Sequence, residues 1–567
     1  MFAARPGFLN LLKDGGRHFS GLEEATYRNI DACKNLCELL CTSFGPNRMN
    51  KLIVNQIDKI FVTSDAATIL EQLEVQHPAA KLLAMASKMQ DQEFGDVTNF
   101  VTTFGGELLY QAETLLRQGL SVSDIVKGYQ LALNKSLALL EESVCYRVTD
   151  LRQLDELKKG VHTAIASKTI PSSETIANLV AEAVLLTLPN NPTYFNIENI
   201  RVAKLIGGGL ESQSKVIHGM VLTRSVTGSV CHKENCRVMV ISCGLELAST
   251  ETKGTVLLTS GEELLNYTTG EEEKLEEIIK NIGDAGVEAI ITGGTISDLA
   301  QYFCDKYNIL TLKCTSKFEL RRLCQTFGIP SLIRLSTPTS EEMGIAESIT
   351  VEEIASKKVT IIKAKDSKIA TILLRGATHS NLNELECSID DGVHCVKNLI
   401  KDNRFLAGGG ASEMHLAYSI QEYGKTLLGL EQYAVIKFAE AFECIPRILA
   451  ENAGLSSLNI ITQLYAAQKK KQQTMGVDIL MEDNDSSGIT DMIEHQDTPV
   501  IDHYKAKACA LQLAGEAVIT ILRIDQIIMA RPAGGPKPRT LSVEHYWQFE
   551  IMVFVYVAQQ NQHWDQD

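Results

Sequence analysis

Four short segments carry the residue types that bind phosphorylated ligands. Each combines glycine with hydroxyl or carboxylate side chains at a predicted turn into a helix. The N-terminus of a helix offers unpaired N–H groups and the positive end of the helix dipole, so it suits a phosphate. A carboxylate beside a phosphate needs a cation between them, usually Mg²⁺. The segments are Ser43-Phe44-Gly45-Pro46, Ser64-Asp65-Ala66-Ala67-Thr68, Gly95-Asp96-Val97-Thr98-Asn99 and Gly408-Gly409-Gly410.

The fourth segment lies far along the chain from the other three. A single site that used all four would bring the two ends of the chain together around a nucleotide. The middle of the chain would then be an insertion that the nucleotide can move.

The predicted elements support such an insertion. The chain is mostly helical from Leu22 to about Cys145, apart from a predicted hairpin of Lys51–Val54 and Ile60–Thr63. It is mixed from Val148 to about Gly219. From Met220 to about Leu374 short β-branched strands alternate with helices, which indicates an α/β layer. Helices then return, and the order helical, mixed, α/β, mixed, helical is what a nested insertion leaves in a sequence.

Length and composition predict a multidomain globular protein. The 567 residues suggest roughly three domains of about 150–200 residues. Hydrophobic residues make up 45% and charged residues 22% of the chain. The net charge of −16 argues against nucleic-acid binding, which normally requires a basic stripe. The sequence shows neither a signal peptide nor an apolar run of about 20 residues, so we expect no membrane partner and a cytoplasmic location.

The 14 cysteines are scattered rather than framed by the tight spacings of a small disulfide scaffold. Cys33, Cys37 and Cys41 recur at every fourth position and therefore share one helix face. This spacing favours buried packing, with a metal or redox role as the alternative. Reduced thiols fit the cytosol.

Six motifs resemble those of the group II chaperonins in order and spacing, and the resemblance runs from about residue 7 to residue 538. A single such motif would be weak evidence, but six in register are specific. They are Gly45-Pro46, Asp65-Ala-Ala-Thr-Ile-Leu70, Gly95-Asp96-x-Thr98, Gly408-Gly-Gly-Ala-x-Glu413, Leu449-Ala-Glu-Asn-Ala-Gly454 and Leu522-Arg-Ile-Asp525.

Four further segments are similar to one subunit type of the chaperonin of the eukaryotic cytosol. They are His18–Ala25, Glu74–Lys81, Gly429–Ala434 and Asp525–Pro538.

The resemblance implies a multidomain fold of the α+β and α/β types. A helical equatorial domain binds ATP, a small intermediate domain is the hinge, and an α/β apical domain with a helical protrusion binds unfolded polypeptide. The protrusion is expected within Ser249–Gly270, and the client surface on the amphipathic helix Lys317–Phe327. The implied ranges are equatorial 1–147 and 407–538, intermediate 148–218 and 371–406, apical 219–370, and a divergent tail 539–567.

The resemblance also implies residue roles around ATP and Mg²⁺. Asp96 is expected to hold Mg²⁺ against the phosphates, and Asp65 to lie near the γ-phosphate. Asp391 is expected to activate the attacking water, and its interval to Gly408 favours it over Asp390. From the residues alone, Asp65 and Asp96 are also consistent with helix caps, and Asp391 with a solvated helix carboxylate.

The remaining nucleotide contacts come from the turns and from the far end of the chain. Gly409 is expected to approach the adenine or ribose closely, and Asp502 to bind the ribose. With Asp65 and Asp96, the predicted nucleotide-binding set is completed by Ser43, Phe44, Gly45, Pro46, Ser64, Gly95, Val97, Thr98 and Asn99.

Three positions depart from the family pattern. Val97 and Arg48 stand where the family usually has glycine, and His503 where it usually has proline. Valine resists a positive φ, so Val97 is expected to weaken nucleotide binding if backbone freedom is needed there. Arg48 would either clash in the loop or add a cation near phosphate.

The function implied first is an ATPase subunit of a hetero-oligomeric double-ring chaperonin that folds cytosolic clients, including actin and tubulin. A second interpretation is a nucleotide-poor structural subunit or divergent paralogue that supplies interfaces and client surface, which Val97 and Arg48 favour. A third is a stand-alone metabolic phosphotransferase, which predicts a monomer with a closed small-molecule pocket.

Overall fold

The computed structural model describes residues 17–20, 25–55, 58–168, 172–246, 260–354, 357–365, 367–479, 488–494 and 498–529. The chain divides into a main unit, Tyr27–Arg523, and a terminal unit made of the two chain ends. In the described part of the terminal unit, strands β1 (Arg17–Ser20) and β17 (Gln526–Met529) pair antiparallel. The predicted tail 539–567 lies outside the described residues.

Helices from both ends of the main unit share one apolar core. The ring of Phe104 stacks on Phe442 with centroids 4.6 Å apart and meets Phe438 edge-on. The two halves of the chain therefore converge, as predicted. These helices are α1 (Tyr27–Cys41), α2 (Ala66–Gln72), α3 (Pro78–Phe94), α4 (Thr98–Arg117), α5 (Val122–Glu142), α13 (Ala411–Thr426), α14 (Glu431–Ala441), α15 (Cys444–Asn452), α16 (Ser457–Lys469) and α17 (Tyr504–Leu522).

Short strands join these helices and lead into the predicted turns. The predicted hairpin is confirmed, with Leu52 opposite Val62. A three-stranded sheet has the order β16-β13-β4, and β14 pairs with β15. The strands are β2 (Lys51–Val54), β3 (Ile60–Thr63), β4 (Tyr146–Arg147), β13 (Arg404–Ala407), β14 (Met475–Val477), β15 (Ile489–Asp491) and β16 (Ile501–His503).

A second core forms where three helices pack on one end of a large sheet. The helices are α6 (Leu154–Ala166), α7 (Ser173–Thr187) and α12 (His379–Lys401). Buried apolar residues of all three helices, such as Val161, Val180 and Ile389, meet Ile372 of the sheet.

The large sheet has eight strands. The two strands at one end and the three at the other pair parallel, and the middle pairs are antiparallel. In spatial order they are β5 (Ile200–Ile206), β12 (Ala370–Gly376), β6 (Lys215–Leu222), β11 (Lys357–Lys363), β10 (Gly344–Ile354), β7 (His232–Ile241), β8 (Ala289–Thr292) and β9 (Leu310–Lys313).

Helices around β7, β8 and β9 complete an α/β layer with its own buried residues. Helix α11 buries Leu320 and Leu323, while Phe318 is 74% exposed. Part of the predicted client helix therefore packs inward and part faces outward. The remaining helices are α8 (Leu210–Gln213), α9 (Gly261–Asp284), α10 (Asp298–Lys306) and α11 (Lys317–Phe327), with 3₁₀ turns at Pro192–Tyr194 and Ile197–Asn199.

Two helix predictions differ from the structure. The helical pattern of the sequence predicts separate helices at Ser260–Tyr267 and Glu271–Gly283, but they form the single helix α9, because Gly270 costs a helix interior only about 1 kcal/mol relative to alanine. The sequence also predicts one helix over Gln432–Ala453, where the structure has the two helices α14 and α15. The break places Pro446 in the first turn of α15, where its missing N–H needs no partner. Residues 249–259 of the predicted protrusion region lie outside the described residues.

The mixed multidomain architecture predicted from the sequence is confirmed, with a helical part and an α/β part. The boundaries predicted at 218/219 and 370/371 fall inside β6 and at the start of β12. The domain ranges stay predictions.

Candidate nucleotide-binding site

The predicted turns line one cavity of about 600 Å³ in the main unit. This volume lies in the usual range for a small-molecule site. Of the predicted residues, the wall includes Ser43, Phe44, Gly45, Pro46, Asp65, Gly95, Asp96, Val97, Thr98, Asn99, Asp391, Gly409 and Asp502.

Ser64 is the one residue of the predicted set that the cavity wall does not include. It is fully buried and lies outside the cavity wall, with its hydroxyl 3.5 Å from Glu384 Oε1. The preceding strand β3 turns this side chain inward, so only Asp65 of the pair reaches the cavity.

Two helix N-termini face the cavity without a side-chain cap from any described residue. They belong to α4, which begins after Val97, and α13, which begins after Gly410. The first N–H groups of a helix have no partner within the helix. These two ends can therefore donate to an anion in the cavity. The helix-cap alternative for Asp96 is not observed, because Val97 holds the cap position of α4.

The turn into α4 requires a left-handed backbone at two residues. Gly95 has φ +69°, and a Cβ there would lie 2.3 Å from the His394 ring. Val97 has φ +66°, which is an outlier for a β-branched residue. Its backbone therefore adopts the glycine-like conformation despite the side chain, and the turn stores strain.

Lys168 bridges two of the predicted carboxylates. Its Nζ lies 3.0 Å from Asp65 Oδ1 and 2.5 Å from Asp391 Oδ2. Asp65 follows β3 and also caps α2, accepting hydrogen bonds from the N–H and hydroxyl of Thr68. The cap interpretation therefore holds for Asp65, which also lines the cavity. Elements far apart in the chain meet at this one ammonium group.

Charge coupling shifts the pKa values of this cluster. Burial by itself would raise the pKa of Asp65, but Lys168 and Thr68 outweigh it and lower the pKa. For Asp391, burial, Asp96 and Asp65 together raise the pKa well above its usual value against the opposing effect of Lys168. Burial would lower the pKa of Lys168, but the two aspartates outweigh it and keep the lysine protonated.

Asp96 stands apart from the lysine bridge. Its Oδ1 accepts a hydrogen bond from Val97 N at 2.6 Å, and burial raises its pKa. Three carboxylates near a single Lys168 leave an excess of negative charge that a divalent cation offsets. No group of three or more His, Cys, Asp or Glu residues in the described ranges forms a ready-made metal site. Mg²⁺ is normally held by one or two carboxylates and the substrate's own phosphates, so this donor set fits it.

A second buried lysine, Lys507, lines the same cavity. Lys507 Nζ is 2.5 Å from Glu413 Oε1 and 2.6 Å from Asp502 Oδ2. Burial by itself would lower its pKa, but Asp502 and Glu413 raise it. The bridge holds Asp502 at the cavity wall beside Gly409.

His503 has a local structural role at the start of α17. It caps α17, with Nδ1 accepting a hydrogen bond from Ala506 N at 3.3 Å. Its Nε2 lies 2.8 Å from Asp402 O and donates to it. Both bonds together require the neutral ring, and burial lowers its pKa.

Replacing His503 with Asn is expected to flatten the pH dependence of stability. The depressed pKa of His503 means that the unfolded chain protonates first, near pH 6.5. Stability that is complete above that pH is therefore lost as the pH falls towards the folded pKa. Asparagine keeps the cap and does not titrate. Urea unfolding at pH 7.5 and 5.5 should show a smaller loss in the variant, and an equal loss in both proteins would contradict this role.

Arg48 lies on the cavity wall without blocking it. Its Nη2 donates to Lys168 O at 3.1 Å. Burial lowers its pKa, and Glu384 and Asp391 oppose that shift. The side chain thus holds the backbone that carries the bridging lysine, rather than clashing in the loop.

Comparison with known proteins decides the family. The profile of the TCP-1/cpn60 chaperonin family matches residues 36–532. The chain belongs to that family. It is 47% identical over 535 residues to the T-complex protein 1 subunit theta of Bos taurus, covering 94% of this chain and 96% of the relative. The same subunit of Mus musculus is 47% identical, and that of Gallus gallus 46%, with the same coverage.

These relatives confirm the chaperonin resemblance and the subunit type, theta, to which four segments of the sequence are similar. They also match the mixed architecture of the fold. Among the described helices, none is long and apolar enough to cross a bilayer.

Two charged residues of the cavity wall, Lys168 and Lys507, were not predicted from the sequence. Lys168 follows α6 in a short connection and belongs to no motif, so nothing in the sequence marks it. Lys507 could have been predicted to be buried, because it lies on the buried face of α17 with Leu511, Ala514 and Val518. A lysine on an apolar helix face requires a buried partner.

Proposed function

We propose that the chain is an ATP-binding and ATP-hydrolysing subunit of a hetero-oligomeric, double-ring chaperonin of the cytoplasm. Its partners are the other ring subunits and unfolded clients, including actin and tubulin, by analogy with the family. The observation that carries the proposal is the Lys168 bridge. It brings Asp65 and Asp391 together on the wall that also presents the uncapped ends of α4 and α13.

Different residues of the cavity are proposed to bind different parts of the nucleotide. The N-termini of α4 and α13 and the loop Ser43–Pro46 bind the phosphates through backbone N–H groups, while Asp502 and Gly409 contact the ribose and base. Asp96 would hold Mg²⁺, which would offset the phosphate charge. Lys168 provides the cation near the terminal phosphate.

Asp391 is proposed as the general base for the attacking water, with Asp65 orienting the reactants. Burial raises the pKa of Asp391, which makes it a stronger base than an exposed aspartate. Asp391 sits on α12 with the second core, whereas Asp65 sits beside the helical core. Movement between these two parts would open or close the Lys168 bridge and couple hydrolysis to conformation.

The purified chain should bind a fluorescent ATP analogue in the presence of Mg²⁺, and MgATP should displace it. A native pull-down of the tagged chain should recover the other subunits of the cytosolic chaperonin. A chain that runs as a monomer without those subunits would contradict ring membership and favour the phosphotransferase interpretation. A chain that assembles but binds no nucleotide would instead support the next candidate.

The second candidate is a nucleotide-poor structural subunit. The strained backbone of Val97 favours it, because a β-branched residue with a left-handed backbone lies on the cavity wall where a phosphate-binding turn normally has glycine. This candidate predicts that the chain binds nucleotide weakly and that removing the Val97 side chain strengthens the binding.

Replacing Val97 with Gly is expected to raise the free energy of unfolding by about 1 kcal/mol, because glycine relieves the left-handed strain. Val97→Ala is the matched control, since it removes the branch but keeps the φ cost, and its effect should be smaller. Urea unfolding measures both. Nucleotide titration of the same proteins separates the two functions, because tight binding that Val97→Gly leaves unchanged excludes the structural candidate.

A further inference from the structure

Cys37 and Cys41 form a close pair of thiols in the last turn of α1. Their sulfur atoms are 3.7 Å apart. Neither residue lines the nucleotide cavity, so the site described above does not use them. The sequence spacing favoured buried packing for this helix face, and it holds for Cys33 and Cys37 but not for the half-buried Cys41.

The two thiols have different surroundings. Cys37 is buried, with its Sγ 3.4 Å from Thr103 O. Its hydrogen bond to Cys41 lowers the pKa of Cys41 against the opposing effect of burial, and the same bond raises the pKa of Cys37. Cys41 is therefore the accessible nucleophile, and Cys37 is the neighbour within reach of it.

We propose that Cys37 and Cys41 are a peroxide-sensitive dithiol that closes to a reversible disulfide. The Cys41 thiolate attacks hydrogen peroxide, the O–O bond breaks, and hydroxide leaves a sulfenic acid on Cys41. The sulfur of Cys37 then attacks that sulfenic sulfur. The S–S bond forms, and the hydroxyl group departs as water with the proton from Cys37. The peroxide is reduced and the two thiols are oxidised.

The end of the helix permits this closure. The sulfurs must approach from 3.7 Å to about 2.05 Å, which draws the two Cβ atoms closer than a regular turn allows. Cys41 is the last residue of α1, so only the final turn has to open. The same pair within the helix interior would require breaking the helix on both sides.

The opened turn is tied to the first phosphate loop. Cys41 O accepts from Phe44 N at 3.2 Å and from Asn452 Nδ2 at 3.1 Å, and the same amide donates to Phe44 O at 2.8 Å. A displaced Cys41 therefore moves the loop Ser43–Pro46. The expectation that this movement lowers nucleotide affinity rests on the proposed function. The expected disulfide and loop movement do not depend on it.

The test uses the reduced, full-length chain titrated with hydrogen peroxide without nucleotide. Peptide mass mapping should find a Cys37–Cys41 crosslink that dithiothreitol removes. Hydrogen exchange of residues 42–49 should become at least tenfold faster in the oxidised form and recover on reduction. Cys37→Ser should leave a trappable sulfenic acid on Cys41, and Cys41→Ser should give neither product.

Cys33→Ser is the matched control, one turn earlier on the same helix, and it should oxidise like the parent. The proposal fails if peroxide oxidises the half-buried Cys387 and Cys509 but no Cys37–Cys41 crosslink forms. It also fails if Cys41 pairs with Cys444 instead, or if the crosslink forms without a change in loop exchange. A chain that forms the crosslink but never binds nucleotide contradicts the proposed function alone.

Discussion

Replacing Asp391 with Asn is expected to lower the rate of ATP hydrolysis by about 10²–10⁴-fold, the usual contribution of a positioned general base. The amide keeps the size of the carboxylate but cannot accept the proton of the attacking water. Nucleotide affinity should be retained, because the backbone at the N-termini of α4 and α13, which we propose binds the phosphates, is untouched. Steady-state phosphate release and titration with a fluorescent ATP analogue measure the two quantities separately.

The pH profile gives a second readout of the same variant. Burial raises the pKa of Asp391, so the rate of the parent protein should fall as the pH drops into that raised range. The residual rate of Asp391→Asn should lack that step. Asp390→Asn is the matched control, because Asp390 is the neighbouring residue but is exposed and lies outside the cavity wall. Equal rates for the parent and Asp391→Asn would remove Asp391 from the base role.

The turns of the candidate site could be predicted because their chemistry is local. A Gly95 at positive φ before a helix, or an Asp65 that caps one, leaves a pattern within a few residues. The convergence of the two chain ends could also be predicted, because a helical pattern that resumes after an α/β stretch indicates an insertion. The Phe104–Phe442 contact is the packing that this pattern required.

The charged pairs could not be predicted in the same way. Lys168 has its meaning only through Asp65 and Asp391, which come from distant elements. Ser64 precedes Asp65 in the sequence, but its hydroxyl is buried against Glu384 and the residue lies outside the cavity wall, which only the tertiary structure shows. The break between α14 and α15 was not predicted, because helix-forming residues continue on both sides of it.

Val97 shows where local rules and tertiary structure conflict. A β-branched residue should avoid a left-handed backbone, yet Val97 adopts one. The flanking elements determine the turn, since α3 ends at Phe94 and α4 must begin at Thr98. Sites where a local preference is overridden in this way are often functional, which supports placing a phosphate at this turn.

Replacing Lys507 with Met is expected to destabilise the chain by about 3–5 kcal/mol, the usual cost of removing one partner of a buried ion pair. The lysine side chain is 8% exposed and satisfies both Glu413 and Asp502. Methionine matches its length but leaves Glu413, which is almost fully buried, without a cation. Urea unfolding of the full chain at pH 7 measures the loss.

Two variants make the Lys507 result specific. Lys505 is exposed on the same helix. Lys505→Met should therefore change the free energy of unfolding by less than about 0.5 kcal/mol. Adding Glu413→Gln to Lys507→Met should recover part of the loss, because a neutral amide is far cheaper to bury than an unpaired carboxylate. If the two lysine variants unfold at the same urea concentration, the bridge is not a stabilising element. Asp502 would then be held at the cavity wall by the β16–β13 pairing alone.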